Sequence, residues 1–177
     1  MCRPASMIVT KTKVLWSEKT DSHEDIIEEF SLKEKNVRNE VNFVRVEICP
    51  PDGDLTLPKK QWKYQIDQDL IPNWYDAEEA EKAVRLALPD WIKRKVLKKG
   101  EHIIKDRQVY AYDNSTVNAY NNSSIEAYDR STVKAYDRST VISYNNLKKN
   151  ILMSTKAVLI NRSKVTIECF CGNGRGG

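Results

Sequence analysis

From Val109 onward, apolar and polar positions alternate with the period of two that a half-buried strand imposes, and the alternation restarts every eight residues. Five near-copies of one octad run from Val109-Tyr110-Ala111-Tyr112-Asp113-Asn114-Ser115-Thr116 to Val141-Ile142-Ser143-Tyr144-Asn145-Asn146. In the second copy Ser115, Val117 and Ala119 share one face, while Thr116 and Asn118 point the other way. Tyr120-Asn121-Asn122 then breaks the alternation with residues that tolerate turns, as do Tyr128-Asp129-Arg130 and Tyr136-Asp137-Arg138. Each octad therefore predicts one short strand and one corner. A unit this short cannot bury its apolar face alone and has to stack on copies of itself, which predicts a parallel β-solenoid. A coil of two octads and a coil of three both fit the period, and alanine as a recurrent inward residue favours the narrower, two-faced form. Counting on in eights puts Ala157 and Val165 at the valine position, Leu159 and Ile167 at the alanine position, and Asn161-Arg162-Ser163 at a corner. Counting back puts Ile103 and Ile104 where Ala and Tyr sit, with residues 147–156 as the least regular turn.

The N-terminal part carries ordinary α+β signals. Lys13-Val14-Leu15-Trp16 predicts a strand, and Thr20-Asp21-Ser22 with Glu24 and Asp25 supplies a capping signal ahead of a helix that turns Ile26, Ile27 and Phe30 to one side. Phe43 to Ile48 alternates as a second strand, and Pro50-Pro51-Asp52-Gly53-Asp54 has to turn. Lys60 to Ile66 predicts a third strand with Trp62, Tyr64 and Ile66 on one side. A longer helix follows, capped by Asp76 with Glu79 at its third position, and Ala80, Val84, Ala87 and Trp91 form its apolar stripe. Pro89 lies within that stripe and predicts a kink or a restart at Pro89-Asp90.

These expectations amount to an α+β fold, a small N-terminal α+β domain (1–98) capping a C-terminal parallel β-solenoid (99–168), with a Gly-rich tail (169–177). Phe43-Val44-Arg45-Val46, Asp52-Gly53-Asp54-Leu55, Trp62, Asp67-Gln68-Asp69 and Ile71-Pro72-Asn73-Trp74-Tyr75-Asp76, followed by an Ala/Glu-rich helix and Ala-Tyr-Asp-Arg-Ser-Thr-Val units, resemble small proteins of phages and mobile elements. In those proteins a similar N-terminal module precedes a variable array of short polar and aromatic repeats. The resemblance covers about residues 41–168 and implies a phage or prophage setting and a capped β-solenoid, with no shared activity.

Charge changes the picture further. Residues 1–98 carry 17 Lys/Arg and 18 Asp/Glu, whereas residues 99–177 carry 12 and 7, so the solenoid is the basic part of a chain of net charge +4. That sign excludes mimicry of acidic duplex DNA and suits a polyanion or an acidic protein face. No apolar run reaches the roughly 18 residues of a membrane span, and no apolar segment of signal-peptide length follows Met1-Cys2-Arg3-Pro4. A cytoplasmic setting is expected, that of a host cell if the gene is a phage's. Cys2, Cys49, Cys169 and Cys171 are too scattered for a disulfide framework.

Candidate chemistry is sparse. Cys169-Phe170-Cys171 with His102, Cys49 or Cys2 offers an incomplete zinc pattern, since structural sites pair two ligand motifs, so no metal and no cofactor are expected. The glycine-rich run 172–177 has no flanking strand and helix to make a phosphate cradle. Asp113, Asp129 and Asp137 suit turns, and His23 and His102 lack a nearby nucleophile motif, so no catalytic residue is assigned and no enzyme is expected. Two binding candidates stand out: a basic set of Lys93, Arg94, Lys95, Lys98, Lys99, Arg130, Lys134 and Arg138, and an aromatic ladder of Tyr112, Tyr120, Tyr128, Tyr136 and Tyr144 stacked every octad. The expected function is a non-enzymatic phage-type binding protein that blocks a host defence nucleoprotein, with a CRISPR effector as the suggested protein or ribonucleoprotein partner. Direct binding of single-stranded RNA or DNA, or assembly into oligomers through the solenoid ends, are the alternatives. No membrane partner is expected.

Overall fold

The computed structural model describes residues 4–33, 41–144, 151–154, 156–162 and 166–169. Two compact units divide the chain, residues 1–92 and 93–177. Among the described residues there are two α-helices, and neither is long and apolar enough to cross a membrane.

In the first unit, β1 (Ser6–Thr10), β2 (Val14–Leu15), β3 (Phe43–Cys49) and β4 (Lys63–Ile66) form an antiparallel sheet in the order β2-β1-β3-β4. The strand expected over Lys13-Val14-Leu15-Trp16 is confined to Val14–Leu15, and the longer β1, built on the apolar run Met7-Ile8-Val9, precedes it. Helix α1 (His23–Glu29) starts where Ser22 Oγ accepts from the Asp25 amide at 3.3 Å. Glu24, in its first turn, has its carboxyl held below the usual range by its backbone hydrogen bond. Ile26 and Ile27 pack with Ile8, Leu15 and Phe43 in one buried cluster. On β3 the alternation turns Phe43, Arg45, Glu47 and Cys49 to that side, and Val44, Val46 and Ile48 to the other.

Helix α2 (Ala77–Lys95) is capped as the sequence indicates, Asp76 Oδ1 accepting from the Glu79 amide at 3.0 Å. No break occurs at Pro89, contrary to expectation. Leu88 and Trp91, on either side of the proline, are both fully buried, and this packing holds the backbone helical where the ring deletes a hydrogen bond. Leu88, rather than Ala87, completes the buried stripe with Ala80, Val84 and Trp91. The ring of Trp62 meets Trp91 edge to face at 6.3 Å.

The second unit is a parallel β-solenoid, with β5 (Val96–Lys105), β6 (Gln108–Tyr120), β7 (Ser124–Ala127), β8 (Thr132–Ala135), β9 (Thr140–Ser143), β10 (Ile151–Met153), β11 (Val158–Asn161) and β12 (Thr166–Cys169) in chain order. Strand β6 bends round a corner, so its first half pairs with β7 and its second half with β8. One face therefore runs β6-β7-β9-β11 and the other β5-β6-β8-β10. Gln108 faces Ser124 and Thr116 faces Thr132, so one coil takes two octads. Ser, Val and Ala of each octad point inward, and Val109, Val117, Ile125, Val133 and Val141 form a spine with no exposed surface.

Counting in eights fails at both ends of the array. Upstream the register pairs Ile104, not Ile103, with Ala119; Ile104 is buried and Ile103 is 68% exposed. Downstream Leu159 pairs with Val141 and Asn161 with Ser143, two residues out of phase with the count. Strand β12 then leaves the parallel pattern and lies antiparallel on β11, Ile167 against Ile160, so Ile167 starts no further coil; Val165 lies outside the described residues. An antiparallel last strand covers the sheet edge that a parallel stack would leave open on that face.

Candidate functional site

The corners hold the residue types that invite a functional reading. Asp113, Asn121, Asp129 and Asp137 all have φ between 52° and 58°, the left-handed region that Asp and Asn tolerate better than other non-glycine residues. Asp106 occupies the same place in the coil before, at φ 50°. Their side chains bond along the stack. Asp137 Oδ2 accepts from the Asn121 amide at 3.0 Å, Asp129 Oδ2 from the Asp113 amide at 3.4 Å, and Asp106 Oδ2 from Asn121 Nδ2 at 2.8 Å. After each such residue the chain closes on itself, with the serine hydroxyls of Ser115, Ser123 and Ser131 donating to the carbonyls of Tyr112, Tyr120 and Tyr128 at 2.7–2.8 Å. These contacts satisfy backbone groups that a sharp corner would otherwise leave without partners.

The tyrosines form two ladders, not one. Because a coil holds two octads, alternate tyrosines fall on opposite corners: Tyr112, Tyr128 and Tyr144 stack at 4.6 Å, and Tyr120 with Tyr136 at 4.8 Å. Planes within the first ladder deviate by 2–4°, so each ring face lies against the next ring. Beyond Tyr144 the Arg162 guanidinium sits 5.7 Å from the ring centroid, at the place where another tyrosine would continue the stack. The Arg162 amide donates to Ser143 as the Tyr144 amide donates to Ala127, which marks the equivalence; the two-residue shift had hidden it in the sequence. Burial, reinforced by the Glu126 carboxylate that accepts from the Tyr128 hydroxyl at 2.9 Å, pushes the Tyr128 phenol far above its usual range.

The expected basic set does not assemble on one surface. Arg130 and Arg138, one octad apart, project from opposite corners, and Lys134 lies on the face between them. Lys95 is fully buried at the end of α2. Lys93 and Arg94 are exposed on the last turn of α2, where Arg107 Nη2 donates to the Arg94 carbonyl at 2.7 Å. Lys98 and Lys99 are exposed on β5. His102 pairs with Val117 in the register, is partly exposed and bonds the Lys99 carbonyl at 2.7 Å, which accounts for it as part of the first coil. Of the four cysteines, Cys49 is buried and its thiol donates to Glu47 Oε2, Cys169 lies on β12, and Cys2 and Cys171 fall outside the described residues.

On their outer side the strands carry two grids of in-register columns. On the β6-β7-β9-β11 face one column reads Tyr110, Glu126, Ile142, Ile160, of which Tyr110 is buried, and the other ends in Thr140 and Val158. On the opposite face Asn118 is tied to Glu101 at 2.7 Å, and Leu152 on β10 is 60% exposed.

The first unit has a groove of about 280 Å³ lined by Val9, Thr10, Lys13, Trp74, Tyr75 and Ala80. Its aromatic residues have structural duties: Trp74 Nε1 donates to the Val41 carbonyl at 2.8 Å, and the Tyr75 hydroxyl bonds that of Tyr64. Burial raises both phenols, Tyr64 the further. The Trp74-Tyr75-Asp76 run thus fastens the segment before α2 and caps the helix. The chain matches no known protein family, no curated protein and no solved structure with significance.

Proposed function

We propose that this is a non-enzymatic binding protein of phage or prophage type, which docks a flat face of its solenoid on a host defence nucleoprotein and blocks it. One observation carries the choice of surface: the corner aspartates, serines and tyrosines of the repeat are engaged in the ladder, while the outer side of the strands forms an in-register grid. A rigid, in-register grid suits another protein's surface and costs little ordering entropy on binding. The face with Ile142, Ile160 and Val158 is the favoured one, because half-buried aliphatics beside a polar rim are what a protein partner can desolvate. The phage setting rests on the resemblance of residues 41–168 to mobile-element proteins. Against direct single-strand binding stands the mutual stacking of the tyrosines, whose faces a base would need.

Expression of the wild-type chain in a bacterium armed with a CRISPR effector should restore plaquing of a targeted phage. Ile142→Arg, which leaves the inward columns intact, should abolish that protection at unchanged protein level. Plaquing restored equally by Ile142→Arg would refute the face; no restoration in hosts carrying representative effectors of each class would refute the partner.

A further inference from the structure

We propose that His23, Glu47 and Asp67 of the first unit form a binding site for a divalent first-row transition metal ion such as zinc. Their ligand atoms all lie within 4.8 Å of one another. The three come from rigid places: His23 opens α1, Glu47 sits in the middle of the sheet on β3, and Asp67 follows β4 with its amide bonded to the Arg45 carbonyl at 2.9 Å.

The histidine's surroundings assign its tautomer. Nε2 lies 3.0 Å from the Val46 carbonyl, which can only accept, so Nε2 carries the proton. The other nitrogen, Nδ1, points at Asp67 Oδ2 at 3.1 Å. A backbone carbonyl holding the far nitrogen is the usual support of a metal-bound imidazole, because it fixes the ring and leaves the near nitrogen to the ion. Glu47 is held in the same manner, its Oε2 accepting from Gln65 Nε2 and, at 3.8 Å, from the Cys49 thiol. Ligating carboxylates are commonly oriented by such outer bonds.

Burial adds the second argument. His23 is 1% and Glu47 4% exposed, so two groups that prefer water are drawn together inside the fold. A cation held between the two carboxylates and Nδ1 would meet both negative charges with one ion. One nitrogen and two carboxylate ligands suit zinc, cobalt or manganese better than calcium, which takes oxygen alone. Asp67 is half exposed, so the set opens to solvent on its side and leaves room for a water ligand. The competing account of the 3.1 Å contact is a second proton on Nδ1, an imidazolium paired with Asp67.

Full-length protein stripped with a chelator and titrated with Zn²⁺ by calorimetry separates the two. We expect one ion per chain with micromolar or tighter affinity, weakened at least about tenfold by Asp67→Asn, and unaffected by the double change Cys169→Ser, Cys171→Ser. Asp67→Asn should melt near the wild-type temperature without metal, so weakened binding cannot be put down to unfolding. Co²⁺ in place of Zn²⁺ should give d–d absorption without a thiolate charge-transfer band. Absence of saturable binding, or binding that survives Asp67→Asn and is lost with the two cysteines, would overturn the assignment in favour of the imidazolium pair.

Discussion

Val133→Asp is expected to abolish cooperative folding of the solenoid. Val133 has no exposed surface, and its strand β8 pairs with β6 on one side and β10 on the other. Losing the buried valine costs about 2 kcal/mol, and an unpaired carboxylate in an apolar spine costs several kcal/mol more. Domains of this size have roughly 5–15 kcal/mol in total. In a stack where each coil touches only its neighbours, a failed central coil also removes the support of the coils on either side. Far-UV circular dichroism and the near-UV signal of the stacked tyrosines should both collapse. All four tryptophans precede residue 93, so their emission reports on the first unit separately. Val133→Ile should leave the tyrosine signal in place. Retention of that signal in Val133→Asp would mean that residue 133 does not face the core.

The second large effect is expected at a corner. Asp137 combines φ 55° with a carboxylate that accepts from the Asn121 amide at 3.0 Å. Asp137→Val loses both, about 1–2 kcal/mol for a β-branched residue in the left-handed region and about 0.5–1.5 kcal/mol for the hydrogen bond at this exposed corner. Asp137→Gly restores the backbone freedom and loses only the hydrogen bond, whereas Asp137→Asn keeps both and should stay within about 0.5 kcal/mol of wild type. Thermal denaturation of the three variants should rank them Asn, Gly, Val in falling stability. Arg138→Ala next door, on an exposed side chain, should change stability little. A ranking in which valine is tolerated would show that the aspartates recur for a reason other than the corner.

The inward set Ser-Val-Ala and the corner at Asp or Asn were legible because alternation along a strand and tolerance of the left-handed region are both local properties. The number of octads per coil was not local. It depends on which strands pair, and it decides that Tyr112 meets Tyr128 and not Tyr120. Counting in eights failed at Ile103 and at Leu159 for a related reason: corners can lose one residue or gain two without disturbing the strands, and only the register reveals it. Lys95 looked like part of a solvated basic run because composition cannot say which side of a helix end turns inward. Strand β1 gives no distinct sequence signal, because Met7-Ile8-Val9 is a short apolar run without alternation, ambiguous by pattern alone. His23, Glu47 and Asp67 are too far apart in sequence to form a motif, and the antiparallel pairing of β3 with β4 is what helps to bring them together.

In the proposed function the corner tyrosines and aspartates serve the ladder and leave recognition to the faces of the solenoid. Titration of purified protein with labelled single-stranded RNA and DNA at about 50 and about 200 mM salt tests it most directly. No saturable binding in the micromolar range is expected at either salt concentration. Micromolar binding that weakens with salt and is lost in Tyr136→Ala or in Arg130→Ala with Arg138→Ala would contradict it, and would make the corners the site.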